Sequence, residues 1–499
     1  MKKFHLLVVL ILIAGLSAAC QETDPNGGGG DVVADRILAV AEFDGNDETI
    51  KVGGVAGAVP PGSDVVVTNQ DTGETKSTVG LIDGSFDPEF EGSTDDTFLV
   101  EVFVGAELID TTDLSVITLE SLVQRDLAQL GSVPTTIKIL DNRAYVVNGF
   151  SDNIQIFDID QNPPVELDTI ILPPGSDPLA MDFINDEQAL VANMIGNTAA
   201  IVNLVTAECE TLYTRQEGVA FEPCNEAVNL GTGRFAGPSA VAVVGNTGYV
   251  ANNNLDIDAV PNGNGFVTVI DLVDDSSFTV QTNGFSSNSL TVVGDELFII
   301  NGGGFNLNLQ TFEASCDPFF PPSINVLSIN SNIITDTIPI PLSEVNTNVC
   351  VPNTLAATPD GTSGYLGLGL VGALLKVDLV NKEIVNGTDN PIIITDLSGL
   401  NNTADVVIDS NGIGYTSLFQ SDQIAVFNTE NDEVNPFPAI APFPAGIRAF
   451  DPESQFFDGV QDLAIRPGTQ GVDFMGPNIF FITGLSEQLG SVNAGILPQ

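Results

Sequence analysis

From about residue 134 to the C-terminus, apolar and polar positions recur in one order seven times. A short apolar strand, usually opened by Pro or Ser, meets a turn, then a strand usually led by an aromatic, then a third strand. The first strands are expected at 134–140, 178–184, 238–244, 287–293, 352–358, 403–409 and 460–466. Proline suits the first residue of a strand, where its missing N–H breaks no ladder. The second strands read Tyr145-Val-Val-Asn148, Leu190-Val-Ala-Asn193, Tyr249-Val-Ala-Asn252, Phe298-Ile-Ile-Asn301, Tyr365-Leu-Gly-Leu368, Tyr415-Thr-Ser-Leu418 and Phe481-Ile-Thr-Gly484. In the first six units a third strand follows, as in Ile154-Gln-Ile-Phe-Asp158 and Val267-Thr-Val-Ile-Asp271, and the polar residue closing it marks a turn into an outer strand.

Three such strands and an outer one make a four-stranded antiparallel unit of roughly 45–65 residues, the size of a propeller blade with loop insertions. No helical period intervenes, so alternating strand and helix folds are excluded. The expected fold is all-β: a seven-bladed β-propeller of four-stranded antiparallel blades behind a small N-terminal β-sandwich. The Pro-led strand followed by Tyr-Val-x-Asn resembles the YVTN-type propellers over about residues 120–499, although the last three units lack the Asn. That resemblance implies the fold and leaves function open, because the family's shared residues are structural. The last unit lacks a fourth strand after Ser491-Val-Asn-Ala-Gly-Ile496, and the apolar stretch 114–122 is expected to supply it and close the ring.

Ahead of the repeats, Lys2 and Lys3 precede an apolar run at 6–13 and then Gly15-Leu-Ser-Ala-Ala-Cys20, the three zones of a secretory signal. The run is too short to span a membrane. Small residues before a Cys resemble the bacterial lipobox, with Ser17 where Leu is commoner, which implies lipidation of Cys20; the alternative is ordinary cleavage near Ala19. Gln21 behind that Cys is similar to the sorting signal for the outer membrane of a Gram-negative bacterium. Residues 34–114 alternate in short strands broken by turns, and Ala58-Val-Pro-Pro-Gly-Ser-Asp-Val-Val-Val-Thr68 with Asp83-Gly-Ser-Phe86 resembles Ig-like or carboxypeptidase-regulatory-like modules. The expected organisation is a signal peptide at 1–19, a flexible Gly-rich tether at 20–33, the sandwich at 34–114 and the propeller at 115–499.

Cys209, Cys224, Cys316 and Cys350 are an even set in an exported chain and point to disulfides. Three pairings are open. Cys209 with Cys224 and Cys316 with Cys350 is preferred, because each bond then pins an insertion near its own unit; free thiols are the alternative. The formal charge of −52 excludes nucleic acid and anionic lipid surfaces as partners, and membrane attachment rests on the lipid alone. Such a surface serves solubility or salt tolerance, or a cation.

The sole His, His5, leaves with the signal, which removes His-based acid–base catalysis and His metal sites. Trp is absent, unlike in quinone-dependent propellers. Position three of the inner strands reads Thr136, Ala180, Ala240, Ser289, Thr354, Asp405 and Asp462. If it faces the channel, Asp405 and Asp462 pair there as Ca²⁺ ligands, as carboxylates sharing a proton, or simply as groups that hold water. A second calcium candidate is Asn252, Asn254, Asp256 and Asp258 in the third unit, with Gly263 and Gly265 permitting the bend; the alternative is a polar turn-rich loop. Aromatic and proline-rich loops at 312–322 and 435–457 offer a binding face or plugs. The expected function is a monomeric, lipid-anchored envelope protein binding a protein or glycan without catalysis; the alternative is a calcium-dependent hydrolase or lactonase using Asp405 and Asp462.

Overall fold

A computed structural model describes residues 32, 37–44, 47–54, 58–82, 84–118, 123–214, 220–224, 237–255, 260–274, 276–308, 313–343, 349–395, 402–434, 443–444, 459–466 and 479–493. Among the described residues the chain is all-β, with no helix.

The N-terminal strands Ile37–Asp44, Asp47–Gly54, Asp64–Asn69, Thr75–Val79, Glu89–Glu91, Thr97–Val104 and Glu107–Thr118 form one seven-stranded sheet. The long strand Glu107–Thr118 pairs antiparallel with Thr97–Val104 along most of its length and parallel with Ile37–Asp44 near its end, so it belongs to both halves. Alternate residues of both halves, Ile37, Ala39, Ile50 and Val52 on one side and Val65, Val67, Phe98 and Val100 on the other, share one apolar core. Period-two burial of this kind is what a half-solvated antiparallel strand requires. Asn69 closes the following turn by accepting from the N–H groups of Asp71 and Thr72 at 2.9 and 3.0 Å.

The repeats fold as expected. Inner strands Pro134–Leu140, Pro178–Phe183, Pro238–Val244, Ser287–Val293, Pro352–Ala357, Thr403–Ile408 and Val460–Ile465 each open a sheet that runs outward through the second and third strands. Each inner strand lies against the next, and the seventh returns against the first, so the chain forms a β-propeller. The ring closes from the N-terminal side, as ring closure demands, but through Val123–Gln129 paired with Gln488–Val492. That is later than the expected 114–122, because residues up to Thr118 already belong to the N-terminal sheet. The described blade 7 also has its third strand in Gln488–Val492.

One backbone bond recurs in every blade. The residue after the second strand donates its N–H to the carbonyl of the residue before the inner strand: Gly149 to Val133, Met194 to Asp177, Asn253 to Gly237, Gly302 to Ser286, Gly369 to Val351, Phe419 to Asn402 and Gly484 to Gly459, at 2.7–3.0 Å. The carbonyl is turned inward because Val133, Asp177, Ser286 and Val351 adopt positive φ of 54°, 49°, 57° and 53°. For a β-branched Val that conformation is costly and persists only where the surroundings impose it.

The repeated aromatic and Asn are now explained. Asn148, Asn193, Asn252 and Asn301 are buried and donate within their own blade, for example to Gln155 Oε1 at 3.0 Å, Thr198 Oγ1 at 3.0 Å, Thr268 Oγ1 at 3.2 Å and Asn325 Oδ1 at 3.1 Å. In blade 7, Thr483 takes this position, its Oγ1 accepting from the Gln488 N–H at 3.0 Å. In blades 3, 4 and 5 the aromatic latches the blade to the next one's outer turn. Tyr249 donates to Asn332 at 3.1 Å, Lys382 lies 4.6 Å from the Phe298 ring, and Tyr365 donates to Asp432, which also holds Lys376 at 2.8 Å. Burial and the Asp432 carboxylate push the Tyr365 hydroxyl's pKa up, so it stays protonated and donates.

Asp432→Ala is expected to lower stability by about 1–3 kcal/mol, because it strands Tyr365 and Lys376 together. A urea midpoint unchanged from the parent protein would refute the latch.

Candidate functional site

In an antiparallel blade, the lead-in to the inner strand and the connection between strands two and three lie at one end. The connections between strands one and two, and between three and four, lie at the other. At that other end the described turns are short, as at 141–142, 245–246 and 294–295; blade 7's connection at 467–478 lies outside the described residues. Insertions gather at the first end: 253–263 in blade 3, 302–322 in blade 4, and the lead-ins to blades 3, 5, 6 and 7.

Both preferred disulfides exist, with Cα–Cα distances of 5.6 Å for Cys209–Cys224 and 5.8 Å for Cys316–Cys350. The first holds Ala220–Pro223 as a fifth strand at the edge of blade 2. The second ties the blade 4 hairpin, Phe305–Asn308 with Glu313–Cys316, to the lead-in of blade 5. Phe305, Cys316, Leu342, Cys350 and Leu370 pack in a small cluster beneath it. Gly303 (φ 74°) is required there, since a Cβ would sit 2.5 Å from the Phe320 carbonyl oxygen. Phe320 packs edge-on to Phe285 at 5.1 Å while its neighbour Phe319 is 83% exposed. Residues 313–322 are therefore a braced platform with Phe320 tucked in and Phe319 presented to solvent, while Phe312 lies outside the described residues.

In the blade 3 loop, Asn252 turns inward, donating to the Val250 carbonyl and Thr268, and Asn254 spans the loop neck to the Asn264 carbonyl at 2.9 Å. Asp256 and Asp258 lie outside the described residues. The amides of Asn252 and Asn254 thus serve the blade and the loop's base.

The channel brings Asp405 and Asp462 together, and shows what holds them. Asp462 Oδ2 accepts from Ile137 N–H of blade 1 at 2.7 Å, and Asp405 Oδ2 accepts from Leu463 N–H of blade 7 at 3.2 Å. The two carboxyl groups are hydrogen-bonded to each other. Burial raises both pKa values, and Asp405's charge raises Asp462 further. Among the described residues no group of three or more His, Cys, Asp or Glu converges on one point.

Sequence reasoning missed Asp182, two positions further along its strand, which accepts from Val243 N–H of blade 3 at 2.7 Å. It also missed Lys138, whose charge opposes the burial of Asp182, Asp405 and Asp462 alike. On the loop end it missed Asp152 and Asp422, which stand directly before third strands. Asp152 accepts from Gly175 and Asp177, and Asp422 from Gly459, each in the next blade's lead-in. An Asp preceding a third strand was the available signal.

Asp177 is 9% exposed, and its carboxylate lies where a Cβ on Gly149 would be 2.8 Å away. Burial, with the Asp152 charge second, pushes it up to about 6. A folded pKa above the unfolded value means stability is greatest below about 4 and is lost as pH rises to about 6. Asp177→Asn, which tolerates the same positive φ, is expected to gain up to about 3 kcal/mol above pH 6 and nothing below pH 4. Denaturation from pH 4 to 8 checks this; a gain independent of pH would refute it.

No protein-family model matches the chain. No curated protein matches it either. Solved structures do: hydrazine synthase of Kuenenia stuttgartiensis is similar at 11% identity, over 74% of this chain and 97% of that one, with a TM-score of 0.51. Virginiamycin B lyase from Staphylococcus aureus is similar at 12% identity over 74% and 98%, with a TM-score of 0.49. The β-propeller domain of Myceliophteria thermophila Cps50 (Swd1) is similar at 6% identity over 74% and 99%, with a TM-score of 0.47. At such identities the likeness is one of fold alone.

Proposed function

We propose that the chain is a cell-envelope lipoprotein, anchored through Cys20 in the outer membrane, whose seven-bladed, YVTN-like propeller is a binding or scaffold module for a protein or glycan. The Ig-like unit at 34–114 spaces the propeller from the lipid. The observation that carries this reading is the distribution of commitments. The repeated Asn and aromatic residues are spent within and between blades, and Asp405 and Asp462 each give an oxygen to a neighbouring backbone N–H. Among the described residues at the end bearing the insertions, Phe319 is presented to solvent on a disulfide-braced loop. Aromatic side chains on a rigid support are what binding hot spots use. Acidic charge throughout keeps nucleic acid away and the protein monomeric.

Pull-down from envelope extracts and a glycan array, both with the soluble chain from residue 20 onward, test the reading. Replacing 305–316 with a short Gly-Ser link, together with Cys350→Ser, should abolish capture. Asp405→Asn with Asp462→Asn should leave capture within about twofold, because Asn still accepts from a backbone N–H. Loss of a hydrolytic activity in that double variant, with capture unaffected by the loop, would favour the calcium-dependent hydrolase. Cys20→Ser should move the protein from the membrane to the soluble fraction.

A further inference from the structure

We propose that one end of the N-terminal sandwich, formed by the turns at 60–63, 80–84 and 104–107, is a tip that seats Leu81 and Ile82 in the surface of a zwitterionic lipid bilayer. The inference rests on the reading that Cys20 carries a lipid, and it gives the sandwich a second contact with the same membrane.

The first observation is polarity, because the two ends of the sandwich differ. At one end the turns at 69–74 and 92–96 carry Asp71, Glu74, Asp95 and Asp96. At the other, Ile82 is 81% and Leu81 58% exposed, and Val79, Val104 and Leu108 are exposed with them. Register sets Val79 and Leu108 in one row across the sheet, with Asp64 and Phe103 between them. Neighbours in such a row have Cβ atoms about 4.5–5.5 Å apart. The turn that projects Leu81 and Ile82 is held by backbone bonds from Gly80 to Ser63, Leu81 to Ser85 and Gly84 to Leu81, at 2.8–2.9 Å. Apolar side chains gathered on a fixed turn mark a contact surface.

The second observation is direction, which says what covers the tip. Ile37–Asp44 runs parallel to Glu107–Thr118, with Ala39 beside Val116, so both strands run away from the tip. The chain therefore enters the sandwich from the tip's side and leaves it at the acidic end, toward Val123–Gln129 of the propeller. Register places Ile37 level with Leu114, about 23 Å along the strand from Glu107. Val32 already packs against the core, so residues 20–31 alone separate the lipid from the sandwich, a span of at most about 43 Å. A link that short holds tip and bilayer together at an effective concentration of about millimolar, so the weak interfacial preference of a few apolar side chains is enough. Asp64 and Glu107 are exposed at the tip and favour zwitterionic over anionic headgroups.

The chain has no Trp, so one introduced at the tip reports from there alone. Cys20 is the one cysteine outside the two disulfides, which makes it a selective point of attachment. Ile82→Trp, in the chain from residue 20 onward, is coupled through Cys20 to maleimide-bearing lipid in phosphatidylcholine vesicles. Its emission should shift to the blue and fall by about half or more when the acyl chains are brominated, because interfacial side chains sit about 5–10 Å deep. Phe278→Trp, on the outer strand Ser277–Phe285 of blade 3, should respond to neither. Adding Leu81→Ser and Leu108→Ser to Ile82→Trp should weaken the quenching. If Ile82→Trp fails to fold, Leu108→Trp reports the same contact. The inference is overturned by an unquenched tip, by equal quenching at position 278, or by quenching undiminished in the serine variant, where the introduced Trp would be partitioning by itself. A blue shift at position 82 that grows with protein concentration in the absence of vesicles also overturns it, since a second copy is then the occupant. Coupling supplies the lipid chemically, so the anchor reading fails separately, in the fractionation of Cys20→Ser.

Discussion

The unpaired inner edge of each blade is the constraint on which the ring depends. An inner strand pairs with its own second strand on one side only, so its other edge faces the neighbouring blade and the channel with bare N–H and C=O groups. Leaving such groups buried and unmet costs about 1–3 kcal/mol each. Side chains of the preceding blade meet them at all seven junctions. Thr135 and Thr136 donate to the carbonyls of Pro178 and Leu179, Ser239 to Ser287, Asn288 and Thr291 to Pro352 and Leu355, and Asn353 to Thr403. Where the exposed group is an N–H, an acceptor is needed, and Asp182, Asp405 and Asp462 supply it.

This division explains why two aspartates stand where other blades carry Thr, Ser or Ala. Their distinctiveness in the sequence invites a chemical reading, since paired carboxylates are the raw material of metal sites and acid–base catalysis. The structure assigns each a partner in the backbone. A carboxylate that accepts from a neighbouring strand loses mobility as well as a lone pair.

The fold was legible because a blade is local. Strand, turn and strand follow within about twenty residues, and a seven-times repeated pattern averages out single departures such as Leu368 and Leu418 in place of Asn. The disulfide pairing was legible for the same reason, each bond staying near its own blade. The closing strand was placed too early because a run of apolar residues does not say which sheet it joins; Thr118 belongs to the unit before the ring and Val123 to the ring itself. Asp182, Lys138, Asp152 and Asp177 were not legible as a group. The hydrogen-bond partners of Asp152, Asp177 and Asp182 lie in adjacent blades, at sequence separations from 23 to 61 residues, and no short pattern encodes that distance.

The two ends of the propeller answer to different pressures. At the end where the described turns are short, the latches of Tyr249, Phe298 and Tyr365 to the next blade's outer turn fix the spacing of blades 3 to 6. At the opposite end the sevenfold backbone bond between lead-in and second strand fixes the framework beneath the loops. Because that bond uses main-chain atoms only, the residues beyond it are free to vary in length and kind. Each long insertion therefore begins from a rigid base, and in blade 4 a second brace, the Cys316–Cys350 bond, extends that rigidity outward to the loop carrying Phe319. A surface braced this way has little conformational entropy left to lose in any contact, because the ordering was done in folding. Regularity in this chain is what gives its irregular end a fixed base.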